Sequence, residues 1–313
     1  MTGQIAVVIN QIMVFSILMF IGFTAVRSKA ISKDGLNTLS TLIIKIILPA
    51  MIFGIVAGSG ITIKDFLISG RFAAGVLLCY TILFAAGIIM SKLCQLEGKT
   101  ENIFIALAAF GNMGFMGIPL IQAIFKEPVA QVCISVYTLV DMPILWTLGV
   151  YLCSRHLEES NSLSAVKNMI NPTTIALFIA FIIMVFQIPV PSVLMSTISG
   201  IGDTSKYLTL IYLGGSLAFV SVNKIYKKTS IFILAVSKML ILPVIVYILL
   251  GYFLSGIPRT ILTLIVGLPS MTTIAMVGKS YGSDDEYATE VIFVTTIFSL
   301  VTIPIVSAIT SIL

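Results

Sequence analysis

The chain has 313 residues, of which 58% are hydrophobic and only 10% are charged, and its mean hydropathy is +1.12. A soluble globular domain carries about 25% charged residues, so this composition excludes a soluble enzyme or binding domain. Apolar runs of roughly 20 residues, long enough to cross a bilayer, recur along the whole chain. The sequence therefore predicts an all-α integral membrane protein with many spans.

Ten apolar segments are predicted to cross the membrane. The first five cover about 4–26, 36–58, 70–93, 102–124 and 129–153, and the second five about 171–188, 203–222, 230–254, 260–280 and 288–311. The first run has no basic leader and no small-residue cleavage site, so we expect a retained span and not a signal peptide. The seventh is the least typical, because Asp203 and Lys206 fall at its start. A polar loop, 154–170, divides the chain into a first half, 1–153, and a second half, 171–313.

Basic residues predict the orientation, because cytoplasmic loops are enriched in Lys and Arg. With the N-terminus outside, eleven basic residues fall on the cytoplasmic side: Arg27, Lys29, Lys33, Lys92, Lys99, Arg155, Lys167, Lys224, Lys227, Lys228 and Lys279. Five fall outside: Lys64, Arg71, Lys126, Lys206 and Arg259. Both termini are therefore predicted outside. This asymmetry also explains the net charge of +5 without a nucleic-acid partner.

Helix breakers recur at matching positions of the two halves. The fourth span contains Gly117-Ile118-Pro119 and the ninth contains Gly267-Leu268-Pro269, while the fifth and tenth contain Pro143 and Pro304. Because each half has five spans, the second half must enter the membrane from the opposite side. The sequence therefore predicts two inverted five-helix repeats.

The breakers predict what the fourth and ninth spans do. Proline has no N–H and clashes with the carbonyl four residues earlier, and it is favoured at the first position of a helix. We expect new half-helices to begin near Pro119 and Pro269, with their positive ends directed toward one central region that suits an anion. Broken helices in corresponding positions of inverted halves point to the binding site of a transporter. The alternative is a packing kink, which is the commoner role of a single interruption.

Three stretches carry a family resemblance. "NMGFMGIPLI" (112–121), "GLPSMTTIAMVGKSYGSDDEYATEVIFVTTIFSLVTIPI" (267–305) and "GFTAVRSKAISKDGLNTLSTLIIKIILPAMIF" (22–53) resemble the auxin efflux carrier family, which includes plant PIN auxin carriers and bacterial organic-acid permeases. The resemblance covers nearly the whole chain apart from its middle. The long hydrophilic loop of many PIN carriers is absent.

The resemblance implies a fold similar to that of bile-acid sodium symporters. Helices 1, 2, 6 and 7 would form a scaffold, often dimeric, and helices 3–5 and 8–10 a transport domain in which helices 4 and 9 cross at their breaks. Substrate would bind beside the crossing and move by an elevator-type mechanism. Asn112 matches the family's substrate-contacting Asn, and the proline pair matches Pro119 and Pro269.

Other polar residues complete the candidate site. Asp141, an acid within the fifth span, is the candidate for coupling, with a purely structural role as the alternative. Lys238 is expected to extend its ammonium toward the cytoplasmic interface. The substrate-site candidates are Asn112, Gly114, Gly117, Pro119, Pro269, Ser270, Thr272, Thr273 and Lys45.

These features favour a secondary transporter of a small organic anion, such as a dicarboxylate or an auxin-like acid, in the cytoplasmic membrane. We expect no enzyme activity, no cofactor and no metal site, with lipids, H⁺ or Na⁺ and a second copy of the chain as partners. The alternatives are a sodium-coupled symporter of the bile-acid type and a ligand-sensing membrane protein that has lost transport.

Overall fold

A computed structural model describes residues 2–58, 60, 69–157, 170–219 and 225–312. This part of the chain is helical and contains no β-strand, so the all-α prediction is confirmed there. Its α-helices are α1 (Thr2–Arg27), α2 (Lys33–Leu42), α3 (Leu48–Ala57), α4 (Gly70–Leu93), α5 (Gly98–Ala109), α6 (Ile118–Ile124), α7 (Pro128–Ile144), α8 (Val150–Ser154), α9 (Pro172–Phe186), α10 (Ser192–Asp203), α11 (Ser205–Leu217), α12 (Thr229–Val236), α13 (Leu242–Leu250), α14 (Gly256–Val266), α15 (Thr272–Ser280) and α16 (Asp285–Ile312). A short 3₁₀ turn, Arg155–Leu157, follows α8. Most of the 154–170 loop lies outside the described residues.

Several helical stretches are long and apolar enough to cross a bilayer. Within the described residues five qualify by length and composition: Lys33–Ala57, Gly70–Leu93, Pro128–Leu157, Thr229–Leu250 and Asp285–Thr310. Shorter apolar helices accompany them, including Pro172–Phe186 and Gly256–Val266. These lengths are those of a multi-pass membrane protein.

Three wide π turns share one cause. The turns Ile43–Ile47, Met113–Gly117 and Ser237–Ile241 each lead into a helix whose second residue is a proline. A proline inside a helix offers no N–H and pushes away the carbonyl four residues earlier, so the preceding turn widens. Each long helix continues through its proline because of this local change.

A separate helix precedes the segment predicted as the seventh span. The structure adds α10 before α11, and α10 runs antiparallel to α3: Ser199 lies against Gly54, and Gly202 against Met51. Helices α10 and α11 meet at Thr204. Asp203 therefore lies at the junction of α10 and α11, beside α3.

Helices α1 and α11 approach closely because glycine occupies their contact. A Cβ on Gly22 would lie 1.9 Å from the carbonyl oxygen of Ile211, and one on Gly214 would lie 1.8 Å from that of Met19. Small residues at such contacts let membrane helices approach backbone to backbone. This contact fixes α11, whose first turn faces the cavity described below.

Candidate functional site

Two helical stretches are interrupted at points where the surrounding residues are buried. Helix α5 ends at Ala109, Phe110 is extended, and helical structure resumes at Met113. Helix α14 likewise ends at Val266, and α15 begins at Thr272. The predicted interruptions are therefore present in both stretches.

The two interruptions are hydrogen-bonded to each other. The backbone N–H of Asn112 donates to the carbonyl of Pro269 at 2.8 Å, and the N–H of Met271 donates to the carbonyl of Phe110 at 3.1 Å. Gly111 and Ser270 form the antiparallel bridge between these bonds. Backbone groups away from water must be paired within the protein, and each break supplies the partners of the other.

Polar side chains gather at this pairing. Ser270 is fully buried; its hydroxyl donates to the carbonyl of Leu107 at 2.9 Å. Thr272 and Thr273 are also buried. The Oδ1 atom of Asn112 and the hydroxyl of Thr272 have no hydrogen-bond partner in the described part of the chain. Buried polar atoms are normally paired, so these two mark a place where a polar ligand could bind.

Lys238 neutralises the end of α5. Its side chain is fully buried, and its ammonium donates to the carbonyls of Leu107 at 3.0 Å, Ala108 at 2.8 Å and Phe110 at 3.0 Å. Carbonyls at a helix C-terminus lack intrahelical partners and carry partial negative charge, so a cation is stabilised there. The expectation that Lys238 extends toward the interface is wrong, because the broken helix offers it a closer set of acceptors.

A cavity of about 550 Å³ opens beside the first interruption. One wall consists of Gly114, Phe115 and Ile118, which follow the break. The other walls come from α3, α10 and α11: Met51, Gly54, Ile55, Ser199, Gly202, Asp203, Ser205, Lys206 and Tyr207. A Cβ added to Gly114 would meet nothing within 4 Å, so this glycine faces open space.

The other predicted site residues differ in position. Gly117 is buried against Met113 and Leu268 and does not line the cavity. Lys45 is exposed and is also absent from the lining. Pro119 is the second residue of α6, so an α-helix does begin beside it, but the π turn Met113–Gly117 comes first. Helical structure therefore already resumes at Met113, directly after Asn112, which lies within the break.

Asp141 lies in a buried polar cluster of its own. Its carboxylate is 1% exposed and accepts a hydrogen bond from the hydroxyl of Tyr80. That hydroxyl lies 3.1 Å from the hydroxyl of Tyr137. The second carboxylate oxygen, Oδ2, has no partner among the described residues. Among the described residues this acid therefore has two phenols nearby and forms no ion pair.

Comparison with known proteins gives the family. The family described as "Membrane transport protein" matches residues 7–307. The chain belongs to this membrane transport protein family. The resemblance noted in the sequence is thereby confirmed, and a transporter family is assigned in place of an enzyme family.

One protein similar to this chain aligns along most of the length of both. It is a protein of Rhizobium meliloti (strain 1021) described as "Putative malonate transporter", 22% identical over 299 residues, which cover 91% of this chain and 90% of the relative. The alignment is consistent with a bacterial organic-acid permease.

The cavity also contains residues that the sequence did not single out as binding residues. Asp203 and Lys206 fall at the start of the predicted seventh span, and the stretch from Ser192 to Asp203, rich in Ser and Gly and without a long apolar run, does not indicate a helix there. One signal was available: two opposite charges three residues apart beside small residues, which is a costly arrangement in a membrane unless it faces a cavity.

Proposed function

We propose that this protein is a secondary transporter of a small organic anion, most simply a short dicarboxylate, which binds in the cavity beside Gly114. The observation that carries the proposal is the pair of hydrogen-bonded interruptions next to a cavity of about 550 Å³. Ligand sites typically have volumes of about 300–1,000 Å³, so this one suits a small solute with its water. The name of the Rhizobium relative supports a dicarboxylate.

The helix ends at the break supply the chemistry for an anion. The chain after the break resumes as a helix at Met113, and the first N–H groups of a helix lack intrahelical partners. Asn112 precedes this turn with one amide atom unpaired. Rotation of the amide presents N–H groups at the same point, so Asn112 can donate to a carboxylate oxygen. Ser270, Thr272 and Thr273 are the hydroxyls closest in sequence to the second break.

We assign the movement to an elevator-type mechanism. Helices α9 and α10 pack along α3, and α1 packs along α11, which is the arrangement expected of a scaffold. The paired interruptions would belong to the moving domain. The fourth and ninth predicted spans, which contain these interruptions, would cross there. In this proposal the protein acts in the cytoplasmic membrane as a homodimer with both termini outside.

The coupling ion is proposed to be H⁺ and not Na⁺. Converging carbonyl oxygens of the kind that could bind Na⁺ exist at the end of α5, but the ammonium of Lys238 already occupies them. Asp141, whose carboxylate has one unpaired oxygen, is the proposed proton carrier.

The test is malonate flux into proteoliposomes, with Gly114→Leu as the informative variant. Because a Cβ at Gly114 would meet nothing within 4 Å and this residue lines the cavity, we expect a leucine to extend into the cavity and initial uptake to fall at least tenfold at an unchanged melting temperature. Gly200→Leu is the matched control: Gly200 also meets nothing within 4 Å, lies on α10 and does not line the cavity.

Three results would count against the proposal. Binding of carboxylates by purified protein without any flux would favour a sensor. Uptake that stops when sodium is replaced by choline would favour the sodium-coupled alternative. Equal uptake by the Gly114 and Gly200 variants would exclude this cavity as the route.

A further inference from the structure

The part of the cavity wall that α10 and α11 provide carries charge without a fixed partner. It forms where α10 ends at Asp203 and α11 begins at Ser205. Asp203 and Lys206 are the lining residues with formal charges, and they belong to different helices on either side of Thr204. They form no ion pair within 4.0 Å, so neither cancels the other by direct contact.

The surroundings of Lys206 are aromatic. Its Nζ atom lies 5.6 Å from the ring centroid of Phe15 and 5.7 Å from that of Tyr207. Nothing in the described part of the chain gives this ammonium a hydrogen bond or a carboxylate partner. Aromatic faces stabilise a cation weakly and leave its N–H donors free. A partly buried ammonium with free donors at a cavity wall is a binding group for an anion.

We propose that Lys206 binds the second carboxylate of a short dicarboxylate whose first carboxylate lies beside Gly114. Lys206 then selects dianions over monoanions, because a monoanion has a single carboxylate and cannot contact both Lys206 and the break at once. This inference rests on the proposed transport function. It differs from a general attraction of anions, which would raise the affinity for mono- and dicarboxylates alike.

Asp203 supplies a prediction of opposite sign. Its exposed carboxylate lies on the same wall and repels any bound anion. Removing this charge should therefore strengthen dicarboxylate binding, whereas removing the charge of Lys206 should weaken it. A role for either residue that is only structural would not move the affinity in opposite directions.

Calorimetric titration of the purified full-length protein tests the proposal with malonate and propionate. These probes share a three-carbon skeleton and differ in one carboxylate. A charge-assisted hydrogen bond is worth enough to change affinity roughly ten- to a hundredfold, so Lys206→Gln should weaken malonate binding by that factor. Propionate affinity should change less than about twofold. Asp203→Asn should tighten malonate binding.

Two control variants separate charge from folding. Lys206→Arg keeps the charge and should retain most of the malonate affinity. Lys126→Gln removes the same charge from an exposed site, where the ammonium donates to the carbonyl of Gln122, and should change nothing.

The outcomes are distinct. Unchanged malonate affinity in Lys206→Gln, or an equal loss for propionate, overturns the role of Lys206 while leaving the transport proposal intact. If the wild-type protein neither binds nor transports any carboxylate, the proposed function itself fails.

Discussion

At the scale of single residues, buried charge separates the functional candidates. Lys238 and Asp141 are both almost inaccessible, yet their partners differ. The three carbonyls around Lys238 satisfy all its donors, so this side chain is held in place as part of the break. Asp141 has neutral phenol neighbours and one unpaired oxygen, so its environment tolerates a bound proton.

The prediction for this scale is that Asp141→Asn abolishes pH-driven accumulation but leaves substrate exchange partly intact. The amide oxygen still accepts the hydrogen bond from Tyr80, so the variant should fold, but it cannot gain or lose a proton. The measurement compares malonate accumulation under an imposed pH gradient with counterflow exchange at symmetrical pH. An Asn variant that still concentrates malonate would make Asp141 structural. Tyr137→Phe, which removes a neighbouring hydroxyl and keeps the acid, is the control.

At the scale of elements, the sequence indicates which spans are interrupted but not where. The Gly-x-Pro motifs fall in the correct stretches, because poor helix formers accumulate where the helix must open. The break itself lies at 110–112, seven residues before Pro119, and depends on backbone bonds to the other half of the chain. Such long-range pairing leaves no local pattern. Pro119 instead accounts for the π turn Met113–Gly117, in which Gly114 lines the cavity.

The prediction for this scale is that Pro119→Ala keeps or raises the melting temperature while uptake falls. Alanine supplies an N–H four residues after Phe115, which allows the π turn Met113–Gly117 to close into an α-helix and rotates Gly114 away from the cavity. Stability gained with function lost is expected where a helix is strained for its role. Melting temperature and initial uptake are measured together at matched expression.

Pro49→Ala is the comparison variant. Pro49 also follows a π turn, Ile43–Ile47, but the residues of that turn do not line the cavity. Similar uptake by the two proline variants would contradict a specific role for the turn at Gly114.

At the scale of the whole molecule, composition was sufficient for a helical membrane protein and the motifs for its family. What could not be predicted was which lysines meet which neighbours. Lys45 and Lys238 both lie inside apolar runs, yet the first is exposed and the second is buried on carbonyls of a helix more than a hundred residues away. Lys206, which the basic-residue count assigns to the outside, lines the cavity next to the end of α10.

The corrected positions sharpen the prediction of orientation. Counting α10 and α11 as one span puts Lys206 inside it and leaves eleven cytoplasmic basic residues against four external ones, which increases the expected bias toward an outside N-terminus. Glu97 and Glu127 are exposed and lie at opposite ends of the stretch that contains the first break. In this orientation Glu97 faces the cytoplasm and Glu127 the outside. Their sites therefore report orientation directly.

Single cysteines at these two positions test the orientation in a background without the native cysteines. Cys79, Cys133 and Cys153 are buried and Cys94 is partly buried, and none forms a disulfide, so conservative replacement by alanine or serine should leave the fold intact. An impermeant maleimide applied to intact cells should label Glu127→Cys, whereas Glu97→Cys should react only after the membrane is permeabilised. If only Glu97→Cys is labelled in intact cells, the orientation is the reverse of the predicted one. The wall that contains Lys206 lies beside the half of the stretch that ends near Glu127. A reversed orientation would therefore place this wall nearer the cytoplasm, and the same lysine would face substrate arriving from inside the cell.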